Sequence, residues 1–264
     1  MKNPSKRITW KEISRQKFLM VCAAIFFVYG IVFYYVPLAG WVMAFQDYKP
    51  KDGLFGSKFV GLAKFKFLFS DDVFLRDIRN TLAMGVLNLV TTFLMAIIFA
   101  ILLNEVRNMF GKKLVQTVSY LPHFLSWIVV TGILHDALSS TGIINEMLVN
   151  LGILNSPINF FANPGYFWPI VAFANVWKET GWNPIVSLAA ITSIDPSLYE
   201  AATLDGAGRW GKIWHVTLPG IKSTIMILLI MNIGNVLNAG FEVQYLLGNG
   251  LVKSVSETID IYTL

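Results

Sequence analysis

Asn232, Asn235 and Asn238 recur at every third position of an apolar run. On a helix that spacing sets three side-chain amides along one face. Each amide both donates and accepts hydrogen bonds, as a hydroxyl-rich ligand requires. A second group, Trp177, Glu179, Trp182 and Asn183, places aromatic faces beside polar atoms, a combination that suits a sugar ring. Polar groups inside apolar segments are costly and often functional. The same residues could instead hold helices together through interhelical hydrogen bonds, and the sequence leaves both readings open.

Other chemistries find less support. Lys178-Glu179 could relay a proton or an ion, as in a secondary transporter. Adjacent residues do not share a helix face, however, and no second acidic residue falls in a neighbouring apolar run. The pair reads as lying near a helix break or an outer cavity. His123, His135 and His215 are far apart and lack acidic or cysteine partners at ligand spacing, so no metal site is expected. Cys22 is the only cysteine, which excludes an intrachain disulfide. His135 could serve an intramembrane serine protease, but no serine has a G-x-S-x-G-like setting.

The elements that must position these residues are membrane helices. Of the 264 residues 55% are hydrophobic and only 14% charged, against roughly a quarter charged in a soluble domain. The mean hydropathy is +0.58. Five apolar blocks approach the length of about 20 residues that spans a bilayer core. They are Phe18–Phe45, with Pro37 as a kink, Thr81–Leu103, Leu114–Leu134, Tyr166–Ile191, interrupted at Lys178, Glu179 and Thr180, and about Ser223–Ala239. The first is far longer than a signal-peptide core, and no small-residue cleavage site follows it.

Six of the Lys and Arg residues lie in positions 1–17: Lys2, Lys6, Arg7, Lys11, Arg15 and Lys17. Such a cluster before an apolar block marks the cytoplasmic side rather than a nucleic-acid site. Alternation then makes 1–17, 104–113 and 193–222 cytoplasmic, with twelve Lys and Arg against eight on the opposite side. The expected organisation is a basic tail, 1–17, and one transmembrane domain, 18–264. Segments 46–80 and 137–165 face the extracytoplasmic side, and 240–264 reads as an exposed loop turning at Gly248-Asn249-Gly250.

The cytoplasmic segment 193–222, SIDPSLYEAATLDGAGRWGKIWHVTLPGIK, has helices written into it. Asp195 suits an N-cap and Pro196 the first helical position. Leu198, Ala201, Ala202 and Leu204 can form a small apolar face that ends at Gly206 or Gly208. A second short helix is expected over 209–216, stopped by Leu218-Pro219. Two such helices make either a docking knob or an inert hairpin beneath the bundle.

Glu200-Ala201-Ala202, then Asp205-Gly206-Ala207, then Leu218-Pro219 resemble the EAA loop of permease subunits in binding-protein-dependent ABC importers, in order and in spacing. FVGLAKFKFLFSDDVFLRDIRNTL (59–82) is similar to the segment before the second core helix of sugar permeases. YLPHFLSWIVVTGIL (120–134) and SSTGIINEMLVNLGI (139–153) resemble the oligosaccharide and polysaccharide branch of LplB-type permeases.

The resemblance implies an all-α, polytopic membrane bundle of the type I ABC importer kind, with a sixth span expected beyond Leu264. It implies that Glu200, Ala201, Ala202, Asp205, Gly206 and Ala207 form the coupling helix that enters a groove of a cytoplasmic ATPase dimer. The chain has no G-x-x-x-x-G-K-[ST] motif, so ATP and Mg would be bound by those partners and no cofactor by this chain. The remaining partners implied are a second homologous permease and an extracytoplasmic solute-binding protein that delivers an oligosaccharide. Asn155, Asn159, Phe160 and Phe161 are candidates to meet that binding protein. The candidate substrate pathway is Asn232, Asn235, Asn238, Trp177, Glu179 and Asn183, in a bacterial cytoplasmic membrane.

Overall fold

A computed structural model describes residues 16–264. Of the basic cluster used to orient the N-terminus, only Lys17 lies within them. The chain divides into two compact units, Met1–Asp71 and Asp72–Leu264.

In the first unit, helix α1 (Lys17–Gly30) runs on through a π-helical turn, Ile31–Tyr35, and a 3-10 stretch, Val36–Phe45. Pro37 explains the change of winding. It has no N–H to donate, and its ring would press on the carbonyl four residues back, at Phe33; a widened turn relieves both. Among the described residues none of this span is buried, as expected for a helix solvated by lipid. A two-residue antiparallel ribbon, β1 (Gln46–Asp47) with β2 (Lys58–Phe59), follows. Lys64 Nζ bonds Asp47 Oδ1 at 2.8 Å, and this ammonium holds the Asp47 carboxyl below the ordinary carboxylate range.

The second unit is built around α2 (Asp72–Glu105). Helix α3 (Met109–Tyr120), capped by Asn108, leads through a 3-10 turn at Leu121–Phe124 into α4 (Trp127–Leu138), capped by Ser126. There follow α5 (Ile143–Asn150), α6 (Pro164–Glu179), α7 (Pro184–Thr192), α8 (Pro196–Leu204) and α9 (Arg209–Lys212). The chain closes with α10 (Lys222–Ile233), α11 (Phe241–Leu247), α12 (Lys253–Ser256) and α13 (Ile259–Tyr262). Met84, Val130, Leu134, Phe161, Phe167, Val171, Val243, Leu247 and Val252 form the main core.

Three segments among the described residues are long and apolar enough to cross a membrane: Lys17–Phe45, Asp72–Glu105 and Trp127–Asn150. The bent pair Arg209–Gly220 and Lys222–Ile233 makes a fourth if counted as one. The five blocks expected from hydropathy are therefore not five unbroken helices. Leu114–Leu134 divides at Pro122, because proline and the residue before it leave the helical ladder. Tyr166–Ile191 divides after Glu179, and the fifth block loses its helix after Ile233.

The expectation of an exposed loop over 240–264 is corrected. Val243, Gln244, Leu247, Val252, Ser256 and Thr258 are buried. Asn80, itself buried in α2, donates to Ser254 O at 3.0 Å and Glu257 O at 2.9 Å. Trp168 Nε1 donates to Val255 O at 2.9 Å, and Arg76 pairs with Glu257. Side chains from α2 and α6 supply the hydrogen bonds that helices of four to seven residues cannot make for themselves.

Candidate functional site

The knob at 193–222 is a capped helix of defined shape. Asp195 Oδ1 accepts from Ser197 N at 2.9 Å and Pro196 opens α8. That bond holds the Asp195 carboxyl below its ordinary range. At the other end, Gly206 N donates to Thr203 O at 3.1 Å and Ala207 N to Ala202 O at 2.8 Å, with Gly206 at φ +81°. These two bonds define a Schellman motif, in which the residue after the C-cap is left-handed and therefore favours glycine. The spacing of Glu200-Ala201-Ala202 to Asp205-Gly206-Ala207 thus has a local cause: Ala202 and Ala207 are the partners that close the motif, with Gly206 as its hinge.

Glu200, Ala201, Asp205 and Gly206 are exposed, and Leu204 is 89% exposed at the tip. Tyr199 Oη lies 3.0 Å from Thr217 Oγ1, tying α8 to the returning arm of the loop. That return differs from expectation. The helix does not stop at Leu218-Pro219 but passes through a π-helical turn, Ile213–Thr217, to Gly220, and bends by 63° into α10. Pro219 is accommodated as Pro37 is, by one widened turn before it.

A cavity of about 270 Å³ lies between α2, α7 and α10. Thr92 and Phe93 line one wall, Trp182, Asn183 and Ser187 a second, and Leu228 and Asn232 a third. It brings Asn183 and Asn232 together although they come from different segments. The other candidates lie elsewhere. Trp177 lines a separate apolar cavity of about 420 Å³ with Phe160, Tyr166 and Phe173. Asn238 borders an opening beside Asp260 and Leu264.

Only Asn232 of the three-residue ladder stands on α10. Asn232 and Asn235 donate back to Leu228 O at 2.8 Å and Met231 O at 3.2 Å. Beyond Ile233 the chain goes on in tighter i to i+3 turns, Asn235 N to Asn232 O at 3.0 Å and Asn238 N to Asn235 O at 2.9 Å, so Asn235 and Asn238 lie past the end of α10. Phe161, a candidate to meet a binding protein, is buried against His135, ring centres 4.3 Å apart. Asn155 and Asn159 are exposed.

Glu179 turns towards His123, which sequence spacing left without an acidic partner: His123 Nδ1 lies 2.9 Å from Glu179 Oε2. Lys178, 6% exposed, donates to His123 O at 2.6 Å and lies over the Trp127 ring at 5.5 Å. Gly181 allows this meeting. A Cβ there would fall 1.8 Å from Ser119 O, so the break between α6 and α7 packs directly on the end of α3. The hydropathy profile carried no sign of this cluster; two breaks in one sequence, at Pro122 and after Glu179, were the available signal. Among the described residues no three His, Cys, Asp or Glu side chains are placed to share a metal ion.

Broken apolar helices around a partly polar cavity, with a rigid capped knob at a loop, define a membrane transport component. Residues 92–264 match the family of binding-protein-dependent transport system inner membrane components, and the chain belongs to that family. It is 45% identical over 261 residues to the polygalacturonan/rhamnogalacturonan transport system permease protein YteP of Bacillus subtilis (strain 168), covering 99% of this chain and 81% of that protein. It is 41% identical over 258 residues to protein LplB of the same organism, covering 97% and 81%. Among solved structures it resembles a bacterial ABC transporter involved in the import of the acidic polysaccharide alginate, with a TM-score of 0.86 and 39% identity over 96% of this chain and 85% of that one. A second structure of similar fit holds a bacterial alginate ABC transporter with an alginate pentasaccharide-bound periplasmic protein. The protein is a permease component of an ABC importer, and a secondary transporter using Lys178 and Glu179 is not favoured.

Proposed function

We propose that this permease carries oligosaccharide fragments of polysaccharides, with uronate-containing fragments as the first to test, across a bacterial cytoplasmic membrane with its N-terminus inside. The observation that carries the reading is the cavity where Trp182, Asn183, Ser187 and Asn232 meet. An indole face and amides that donate and accept match a sugar ring and its hydroxyls. The alginate and polygalacturonan systems named for similar proteins support the substrate class.

Glu200, Ala201, Ala202, Asp205, Gly206 and Ala207 are the contact with a partner ATPase dimer, which binds ATP and Mg. A helix closed at both ends by its own hydrogen bonds moves as a body and can pass ATPase motion to α7 and α10. A second permease subunit completes the pathway, and an extracytoplasmic binding protein delivers the sugar. Reconstitution with these partners in proteoliposomes tests the reading. ATP-dependent uptake of tritiated tetragalacturonide or an alginate oligosaccharide is expected, with maltotetraose as the neutral comparison. Retention of the ATPase by Glu200→Arg and Gly206→Asp variants would remove the coupling assignment.

A further inference from the structure

We infer that His123, Glu179 and Lys178 form a positioning chain that fixes the Trp182 indole as a stacking platform at the cavity wall. The inference rests on the reading of that cavity as a sugar passage.

Trp182 sits in the short break between α6 and α7, its backbone held by turn bonds to Glu179 O at 3.1 Å and from Ile185 N at 3.2 Å while its side chain stands clear of either helix. A side chain on such a segment needs outside support to hold one orientation. His123 supplies it: the imidazole lies parallel to the indole, planes within 1° and ring centres 4.6 Å apart. Phe124 stands at 80° to the indole, with centres 5.9 Å apart. Trp182 nevertheless remains 42% exposed and lines the cavity. One part of the ring is gripped and the rest is offered to the opening.

His123 is itself held from two directions. Its ring nitrogen Nδ1 meets Glu179 Oε2 at 2.9 Å, which sets the ring plane. Its backbone carbonyl accepts from Lys178 Nζ at 2.6 Å, which fixes where the residue stands. Lys178 Nζ also lies 3.8 Å from Glu179 Oε1. Neither charged side chain lines the cavity, so the pair acts through His123 rather than on a sugar. A pre-set aromatic plane spares the ligand the cost of ordering it on each passage.

The test measures the concentration dependence of tetragalacturonide uptake by the assembled importer in proteoliposomes. Trp182→Ala is expected to raise KM about tenfold, and His123→Ala and Glu179→Ala about threefold to tenfold, the range of one aromatic contact. His123→Phe keeps a ring to stack but gives up the bond to Glu179, so its KM should match that of Glu179→Ala. Trp182→Ala combined with His123→Ala should be no worse than Trp182→Ala alone, since both act through one ring. Importer yield and binding-protein-stimulated ATPase activity, equal to the unsubstituted protein's, show that each variant is folded. If Trp182→Ala raises KM while folded His123→Ala and Glu179→Ala do not, the chain is overturned and the cavity reading stands. Additive effects of Trp182 and His123, or a His123→Phe variant with the KM of the unsubstituted protein, also overturn the chain. An unchanged KM in Trp182→Ala overturns both.

Discussion

The imidazole of His123 and the indole of Trp182 lie face to face, 4.6 Å apart, and each belongs to an interruption in a helix. His123 follows Pro122 in the turn between α3 and α4; Trp182 occupies the gap between α6 and α7. Two places where regular hydrogen bonding fails are thus packed on each other, with Gly181 backbone against Ser119. Helix breaks inside a membrane are tolerated where protein or a cavity satisfies the freed backbone, and here both conditions are met at one point.

Gly206 carries the left-handed residue of the knob. Gly206→Ala should destabilise the loop by about 1 kcal/mol, because a Cβ disfavours φ near +81°. The expected result is weaker ATPase co-purification with unchanged membrane insertion, measured by affinity capture from detergent extracts. Gly208→Ala, at an ordinary φ of −71°, is the matched control and should retain the ATPase.

The Asp195 cap makes α8 sensitive to acid. Its folded carboxyl has a lowered pKa because Ser197 N–H bonds the ionised form. The stabilisation is therefore fully present above the ordinary carboxylate pKa and is lost as pH falls through the lowered folded value. Hydrogen exchange of residues 196–204 should quicken as pH drops below about 4 after correction for intrinsic rates. Asp195→Asn, which can still cap, should remove that pH dependence while leaving exchange near neutrality little changed.

Asn183→Ala and Asn232→Ala each remove an amide from the cavity wall. Loss of one hydrogen bond to a sugar should raise KM for uptake about twofold to tenfold, with assembly intact. Asn238→Ala borders a different opening and should leave KM unchanged. Uptake kinetics of the three variants, compared at equal importer density, check this.

Asn80→Ala should cost about 1–3 kcal/mol, because the buried Asn80 amide supplies two hydrogen bonds, to Ser254 O and Glu257 O, that tie the 254–257 segment to α2. A lowered midpoint of thermal unfolding in detergent is expected, together with easier proteolysis near α12. Lys253→Ala removes an exposed ion pair with Glu257, which contributes little, and should leave the midpoint in place.

Family, helical class and the shape of the knob were legible in the sequence, each for a physical reason. Lipid as solvent demands long apolar runs, and these can be counted. The knob can be read because the bonds that make it, Asp195 to Ser197 and Ala202 to Ala207, are local. The burial of 240–264 was not legible, since Asn80 reaches it across more than 170 positions. The same holds for His123 and Glu179, brought together over 56 positions. The Asn232, Asn235 and Asn238 spacing assumed one α-helix, whereas α10 ends at Ile233 and the chain goes on in tighter turns.

The autonomy of the knob has a wider consequence. Its two ends are closed by bonds between residues only a few positions apart, and Tyr199 ties it to Thr217 within the same loop. Such a module is portable. Residues 195–207 should keep their geometry when exchanged between permeases that carry different cargo, so that the choice of engine and the choice of freight can vary independently along one chain.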